Sequence, residues 1–221
     1  MSDLPEWLRP LATAVRNVRA EDMSRFLPPD DGSGRASAVL IAFGAVENEP
    51  SVLLIERAAD MRSHPGQVAF PGGAIDPTDA DEAAAALREA NEEVGLDPAS
   101  VQLLDTLPAI FIPITGFVVT PVLAWWREPH PVRAIDPLEV ARAAVVPIAE
   151  LVDPANRFRV KSPRGDWLGP AFEVHGLFVW GFTAGLLDTL LELGGWSGEW
   201  DLEDIRPLPA RLIGGPVPPV E

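Results

Sequence analysis

Nothing in the sequence constrains the fold more than the run Arg88-Glu89-Ala90-Asn91-Glu92-Glu93-Val94-Gly95-Leu96. It closes an alanine-rich stretch, residues 80–94, of high helix propensity. Both ends of that stretch are marked. Asp79 with Glu82 three residues on has the form of a capping box, and acid in the first turn suits the helix dipole. Gly95, apolar Leu96 and Pro98 make the expected C-terminal stop. On such a helix Glu89, Glu92 and Glu93 share a face and project three carboxylates toward one small volume. Their repulsion is relieved either by full solvation or by a cation, and oxygen-only ligands select a hard divalent ion, Mg2+ or Mn2+. Taken alone, the cluster reads more simply as a solvated acidic face. Two neighbours turn the balance toward a cation. Arg88 adjoins the acids, where its planar guanidinium can hold a carboxylate in a bidentate pair. Upstream, Gly72-Gly73 ends a strand where the backbone must pass close to metal and phosphates, an approach that a side chain would obstruct.

Around this helix the chain reads as alternating strands and helices. Residues 5–25 place Trp7, Leu8, Leu11, Val15 and Val18 at helical spacing, predicting one amphipathic helix appended to the core. Strands are expected over 36–43, 52–57, 67–70, 101–111, 117–126 and 143–148, with a hairpin of 159–161 and 171–174 around Ser162-Pro163-Arg164-Gly165. Residues 178–193 read as a second core helix ended by Gly194-Gly195, and the Pro-rich tail from Arg206 onward as extended and weakly ordered. The expected organisation is an N-terminal helical extension and loop (1–34), a single catalytic domain (35–195) and a C-terminal tail (196–221).

Composition bounds the partners. With 33 acidic against 17 basic residues, a net charge of -16 excludes a protein that wraps nucleic acid, because such binding draws on basic surface. A small phosphorylated substrate stays compatible if a few arginines and bound cations reverse the sign locally. The absence of cysteine excludes disulfides, a thiolate nucleophile and cysteine-ligated zinc. Asp3 and Glu6 precede Trp7 and Leu8 with no basic n-region, so no signal peptide is expected and the chain reads as cytoplasmic. The apolar stretch 107–126 is interrupted by Pro108, Pro113, Gly116 and Pro121 and reads as two strands around Ile114-Thr115-Gly116 rather than a membrane span.

Residues 73–96 resemble the Nudix box, G-x5-E-x7-R-E-U-x-E-E-x-G-U with U a bulky aliphatic residue: Gly73, Arg88, Glu89, Glu92, Glu93, Gly95 and Leu96 match it. Asp79 stands for the first Glu, one residue farther from Arg88 than in the pattern, and Ala90 replaces the larger aliphatic residue. In the family that first acid orders the loop, which a helix-capping Asp can also do. The resemblance implies a Nudix-type α/β/α sandwich with a mixed central sheet and a loop-helix-loop box. It also implies hydrolysis of a nucleoside diphosphate derivative, with Mg2+ or Mn2+ held by Glu92, Glu93 and Glu89 beside Gly73. One of these carboxylates, or one from a later loop, would serve as base. Glu139 is the candidate for such a later acid, with Asp136 and Glu173 behind it.

The segment before the box narrows the substrate. Leu53-Leu54-Ile55-Glu56-Arg57-Ala58, Arg62, Gly66 and Phe70-Pro71-Gly72-Gly73 resemble the element L-L-T-x-R-[SA]-x3-R-x3-G-x3-F-P-G-G of the coenzyme A pyrophosphatase branch, departing only at Ile55. The stretches 117–121 and 179–184 are similar to that branch as well. The resemblance implies coenzyme A or an acyl-coenzyme A as substrate, 3',5'-ADP and a 4'-phosphopantetheine species as products, and a homodimer as a possible assembly. Arg57 and Arg62, with Gly72 and Gly73, become the substrate-binding candidates, since guanidinium groups suit phosphate; pairing with surface acids is the plainer use of either arginine. Another nucleoside diphosphate derivative, such as ADP-ribose or a dinucleotide, and a non-catalytic nucleotide sensor are the alternatives. His64 reads as a solvated loop residue, His130 and His175 as structural or surface. Of Trp125 and Trp126, either able to stack an adenine, strand alternation sends one into the core.

Overall fold

The computed structural model describes residues 3–61, 64–161 and 168–213. Its core is a mixed sheet that grows from one hairpin. Strand β1 (Arg35–Val46) turns through Glu47 and Asn48, both left-handed at φ 53° and 70°, into β2 (Glu49–Arg57). Two such residues give a turn whose twist matches that of the strands. The two strands pair only beside the turn, from Phe43↔Val52 to Val46↔Glu49, and then diverge. Residues 68–74 fill the wedge between them. Strand β3 (Val68–Ala69) pairs with β2, and β4 (Gly72–Ala74) pairs with β1 over Ser37–Val39.

On its other edge β1 runs parallel to β7 (Phe117–Trp126), which also pairs antiparallel with β5 (Val101–Thr106) and β6 (Ile110–Ile112); β8 (Val140–Pro147) lies along β2. The single strand expected over 101–111 is therefore two, parted at Leu107-Pro108-Ala109, where Pro108 has no N–H to give a ladder. Gly116, at φ 68°, turns β6 into β7 at the predicted bend. Among the described residues, no helix is long and apolar enough to cross a membrane.

Period-two alternation gives the sheet two apolar faces. Ala38, Leu40, Ala42, Leu53, Ile55, Val122, Ala124 and Trp126 face helix α3 (Glu82–Val94). Ile41, Phe43, Val52, Leu54 and Leu123 pack on the opposite side under helix α5 (Gly181–Leu193). That arrangement is the α/β/α sandwich. The predicted second helix starts later than expected, because Leu177–Val179 forms strand β11 of a smaller sheet. Its other strands are β9 (Arg157–Lys161), β10 (Leu168–Val174) and β12 (Ile205–Arg206), with β9 and β10 paired antiparallel as the hairpin reading required; its turn, 162–165, lies outside the described residues. Between the sheets runs the short helix α4 (Ile148–Val152).

Two terminal expectations need correction. The N-terminal segment is not one helix: α1 (Arg9–Ala14) and α2 (Ala20–Met23) are separated by extended Val18 and Arg19, where Asp22 accepts from the Arg19 N–H at 3.0 Å and starts a new helix. Nor is it an appendage, since Leu8, Leu11 and Val15 lie in the same buried cluster as α5. The C-terminal segment is likewise packed as far as Leu212. Trp196 lies against Trp7 and Phe43, and α6 (Ala210–Ile213) follows Leu208, with Leu208 and Leu212 buried beside Phe158 and Phe178.

Candidate active site

Helix α3 is capped by Asp81, not by Asp79. The Asp81 carboxylate accepts from the Ala84 N–H at 2.7 Å, and Gly95 ends the helix in the left-handed conformation at φ 70°. Asp79 is engaged elsewhere. It takes both Arg88 Nε and Nη2, at 3.0 and 2.9 Å, and the Asp76 N–H at 2.8 Å. Asp76 in turn accepts from the Thr78 N–H and hydroxyl, so the loop before the helix is an Asx turn locked onto Arg88. The extra residue between Asp79 and Arg88 lies after this turn, in the segment that holds the Asp81 cap and the first turns of the helix. Small Ala90 has its own reason: fully buried, it lets the helix lie close on Ala38 and Leu40 of the sheet.

Arg88 then draws two of the glutamates. Its Nη1 donates to Glu89 at 3.0 Å and to Glu92 at 3.1 Å, while Nη2 also reaches the Ala74 carbonyl at 3.2 Å. Glu93 turns away and accepts from the Gly72 N–H at 2.9 Å. Among the described residues no three acidic or histidine side chains converge as a metal cage. Helical spacing puts the three acids on one face, but Arg88 and Gly72 divide them, which corrects the expectation of a single point of convergence.

The carboxylates nevertheless carry strain of the kind that a cation relieves. Glu93 is 7% exposed, and burial pushes its pKa up to about 7; the Gly72 N–H and Arg57 oppose the rise, and Glu89 and Glu139 add to it. Burial also raises Glu89, against the pull of Arg88 and with the push of Glu92 and Glu139. Arg88 holds Asp79 below the usual carboxylate range. Gly73 explains the double glycine: a Cβ there would sit 2.5 Å from the Glu89 carboxyl carbon.

Glu139, exposed on the loop before β8, is thus close enough to act on both Glu89 and Glu93, and its carbonyl is fixed by the Ala58 N–H at 2.9 Å. Asp136 only braces that loop, accepting from the Leu138 N–H at 2.8 Å. Glu173 lies on β10 near Arg206, away from the carboxylates. Arg57 faces Glu93 electrostatically, and among the described residues its buried Nε has no hydrogen-bond partner. Arg62 lies outside the described residues. His64 is half-buried rather than solvated. Its Nδ1 meets Gln67 Oε1 at 3.0 Å, and burial, with Arg57 nearby, lowers its pKa. His130 accepts from the Asp97 N–H at 3.1 Å and His175 pairs with Glu150 at 2.7 Å, both structural roles. Trp126 is core, and Trp125 packs partly buried against the opposite face.

Residues 35–167 match the NUDIX domain family. Over 166 residues the chain is 42% identical to a protein of Cronobacter sakazakii described as "Uncharacterized Nudix hydrolase NudL", covering 72% of this chain and 83% of that one. The chain belongs to the Nudix hydrolase family. The NudL of Escherichia coli K12 is 40% identical over the same shares. A Nudix hydrolase of M. smegmatis, RenU, superimposes with a TM-score of 0.52 at 21% identity, covering 76% of this chain and 89% of that one, which supports the Nudix fold.

As a Nudix hydrolase it acts on nucleoside diphosphate derivatives, and the family works with divalent metal ions. The residues present fit such an ion. Glu89 and Glu93 are oxygen donors raised by burial and by neighbouring carboxylates, Glu139 among them for both, and side-chain-free Gly73 keeps the space beside Glu89 open. Sequence reasoning missed Asp81 as the cap, although Asp one residue before Glu82 was a signal; it also missed the Asx turn, which Asp76-Pro77-Thr78-Asp79 spells out.

Proposed function

We propose that the chain hydrolyses the diphosphate bond of coenzyme A or an acyl-coenzyme A with Mg2+ or Mn2+, giving 3',5'-ADP and 4'-phosphopantetheine or its acyl derivative. The observation that carries this reading is a buried carboxylate under the influence of a free cationic donor: Glu93, 7% exposed and held by the Gly72 N–H, feels the charge of Arg57, whose Nε is buried with no hydrogen-bond partner among the described residues. A donor without a partner among the described residues is supplied with one by a substrate phosphate. The likeness of residues 53–73 to the coenzyme A pyrophosphatase element supports the choice of substrate.

Glu92, Glu93 and Glu89 would hold the ions. When bound, divalent ions neutralise charge on the bridging oxygens and lower the pKa of water. The rest is done by the chain. The Gly72 N–H fixes Glu93, Arg88 sets the rotamers of Glu89 and Glu92, and Gly73 lets the backbone approach the diphosphate. Glu139, near both half-buried Glu89 and buried Glu93, is the candidate to take the proton from the attacking water. Water oxygen forms the new bond to phosphorus as the bridging P–O bond breaks.

Incubating the protein with coenzyme A and Mg2+ or Mn2+ tests the reading, with 3',5'-ADP and 4'-phosphopantetheine as expected products. Turnover of ADP-ribose or a dinucleotide in preference to coenzyme A would reassign the substrate, and no turnover of any diphosphate would favour a nucleotide sensor.

A further inference from the structure

At the end of β2 lies a cavity of about 450 Å³, a size suited to part of a nucleotide, whose wall carries two arginines: Arg57 from β2 and Arg211 from α6. Two guanidinium groups on one wall run against the composition of a chain with 17 basic and 33 acidic residues. Among the described residues neither forms an ion pair with an acid of the cavity wall. Glu56 lines the same cavity, but Arg142 sits 3.4 Å from it. Among the described residues, none forms an ion pair with Arg211, and Arg57 Nε is buried without a partner. Among the described residues Ala59, Pro65, Gly66, Ala141 and Ala210 complete the lining, none of them charged.

Arg211 is not presented from a loose tail. Leu208 and Leu212 flank it, each only 6% exposed, in a cluster with Phe158, Val160 and Phe178. Arg57 links the cavity to the reaction centre, since the same charge that lines the wall acts on Glu93.

We propose that Arg57 and Arg211 form a subsite for a phosphate monoester on the nucleotide part of the substrate, separate from the diphosphate that is cleaved. The subsite rests on the diphosphatase reading above for the identity of its substrate. Its chemistry selects nucleotides that carry an additional phosphate on the ribose: a dianion bridging two guanidinium forks gains charge-assisted bonds that a hydroxyl cannot make. Arg211, outside the segment matched by the family, is then a specificity-determining residue contributed by the C-terminal segment.

The test uses the full chain, without metal, titrated with 3',5'-ADP and with 5'-AMP by calorimetry. Wild-type protein is expected to bind 3',5'-ADP at least tenfold more tightly than AMP. Arg211→Ala should lower that preference about tenfold, with AMP affinity and Tm unchanged, and Arg211→Glu should lower it further. Equal affinity for the two nucleotides in the wild type, including no detectable binding of either, overturns the subsite. So does a preference that survives Arg211→Ala. The two readings fail separately: absence of coenzyme A turnover with the preference intact removes the substrate assignment alone, and turnover without the preference removes the subsite alone.

Discussion

Glu93 shows how a single side chain can be held in a state that costs the folded protein stability. Its carboxyl is buried, pushed up to about 7 from an ordinary 4.5, and stabilised mainly by the Gly72 N–H. Below pH 4.5 both folded and unfolded chains keep the proton, so the group costs nothing. Between 4.5 and about 7 the unfolded chain releases it while the folded one retains it, and stability falls as pH rises through that window. Above pH 7 the full penalty is on the order of 3 kcal/mol. In chelator, Glu93→Gln should therefore melt higher than wild type at pH 8 and close to it at pH 5; equal melting at both values would remove the strained carboxylate. The same variant should lose turnover by about 10²-fold or more, measured under saturating Mg2+. A gain in stability paired with a loss of activity is the signature of a functional residue rather than a packing one.

At the scale of the element, α3 separates two aspartates that lie close in sequence. Asp81 satisfies the helix N-terminus through the Ala84 N–H, and Asp79 clamps Arg88. Asp81→Ala should cost about 1 kcal/mol in chemical denaturation with kcat little changed. Asp79→Asn should leave most of the helix intact but free Arg88 from its bidentate partner, lowering kcat through the rotamers of Glu89 and Glu92; unchanged kcat would show that the clamp does not position them. Because Arg88 depresses Asp79, its contribution to stability is present above the ordinary Asp value and is lost as pH falls through the lower folded one. The sequence marked this helix and its glycine stop. It did not tell which aspartate caps, because both stand within reach of the first turn and only the path of the loop decides.

Over the whole molecule, the smaller sheet is tied to the second core helix by a buried charge. Arg157 of β9, 1% exposed, pairs with Asp188 of α5, donates to Ser197 at 3.2 Å and stacks 4.5 Å from the Trp200 ring centroid. It thus joins the smaller sheet, the second core helix and the C-terminal segment at one point. Arg157→Ala should destabilise by roughly 3–5 kcal/mol, because it leaves Asp188 without its partner, and Arg157→Met with Asp188→Leu should recover much of that loss. Denaturant midpoints of the three proteins check this. A loss under 1 kcal/mol in the single variant would mean that water already reaches the pair.

What the sequence determined by itself was periodic and local. Alternation in 117–126 defined β7 to the residue, and helical spacing between a polar start and Gly95 located α3 with its glutamates on one face. Both depend on contacts within a turn or a strand, which residue order encodes directly. The tertiary structure decided which of those groups meet. Arg88 parts Glu89 and Glu92 from Glu93, Glu139 arrives from a loop 46 residues after Glu93, and Arg211 reaches the cavity wall from the C-terminal segment. Such meetings are set by burial and by the course of the intervening chain, and neither quantity is carried by the spacing of residues along it.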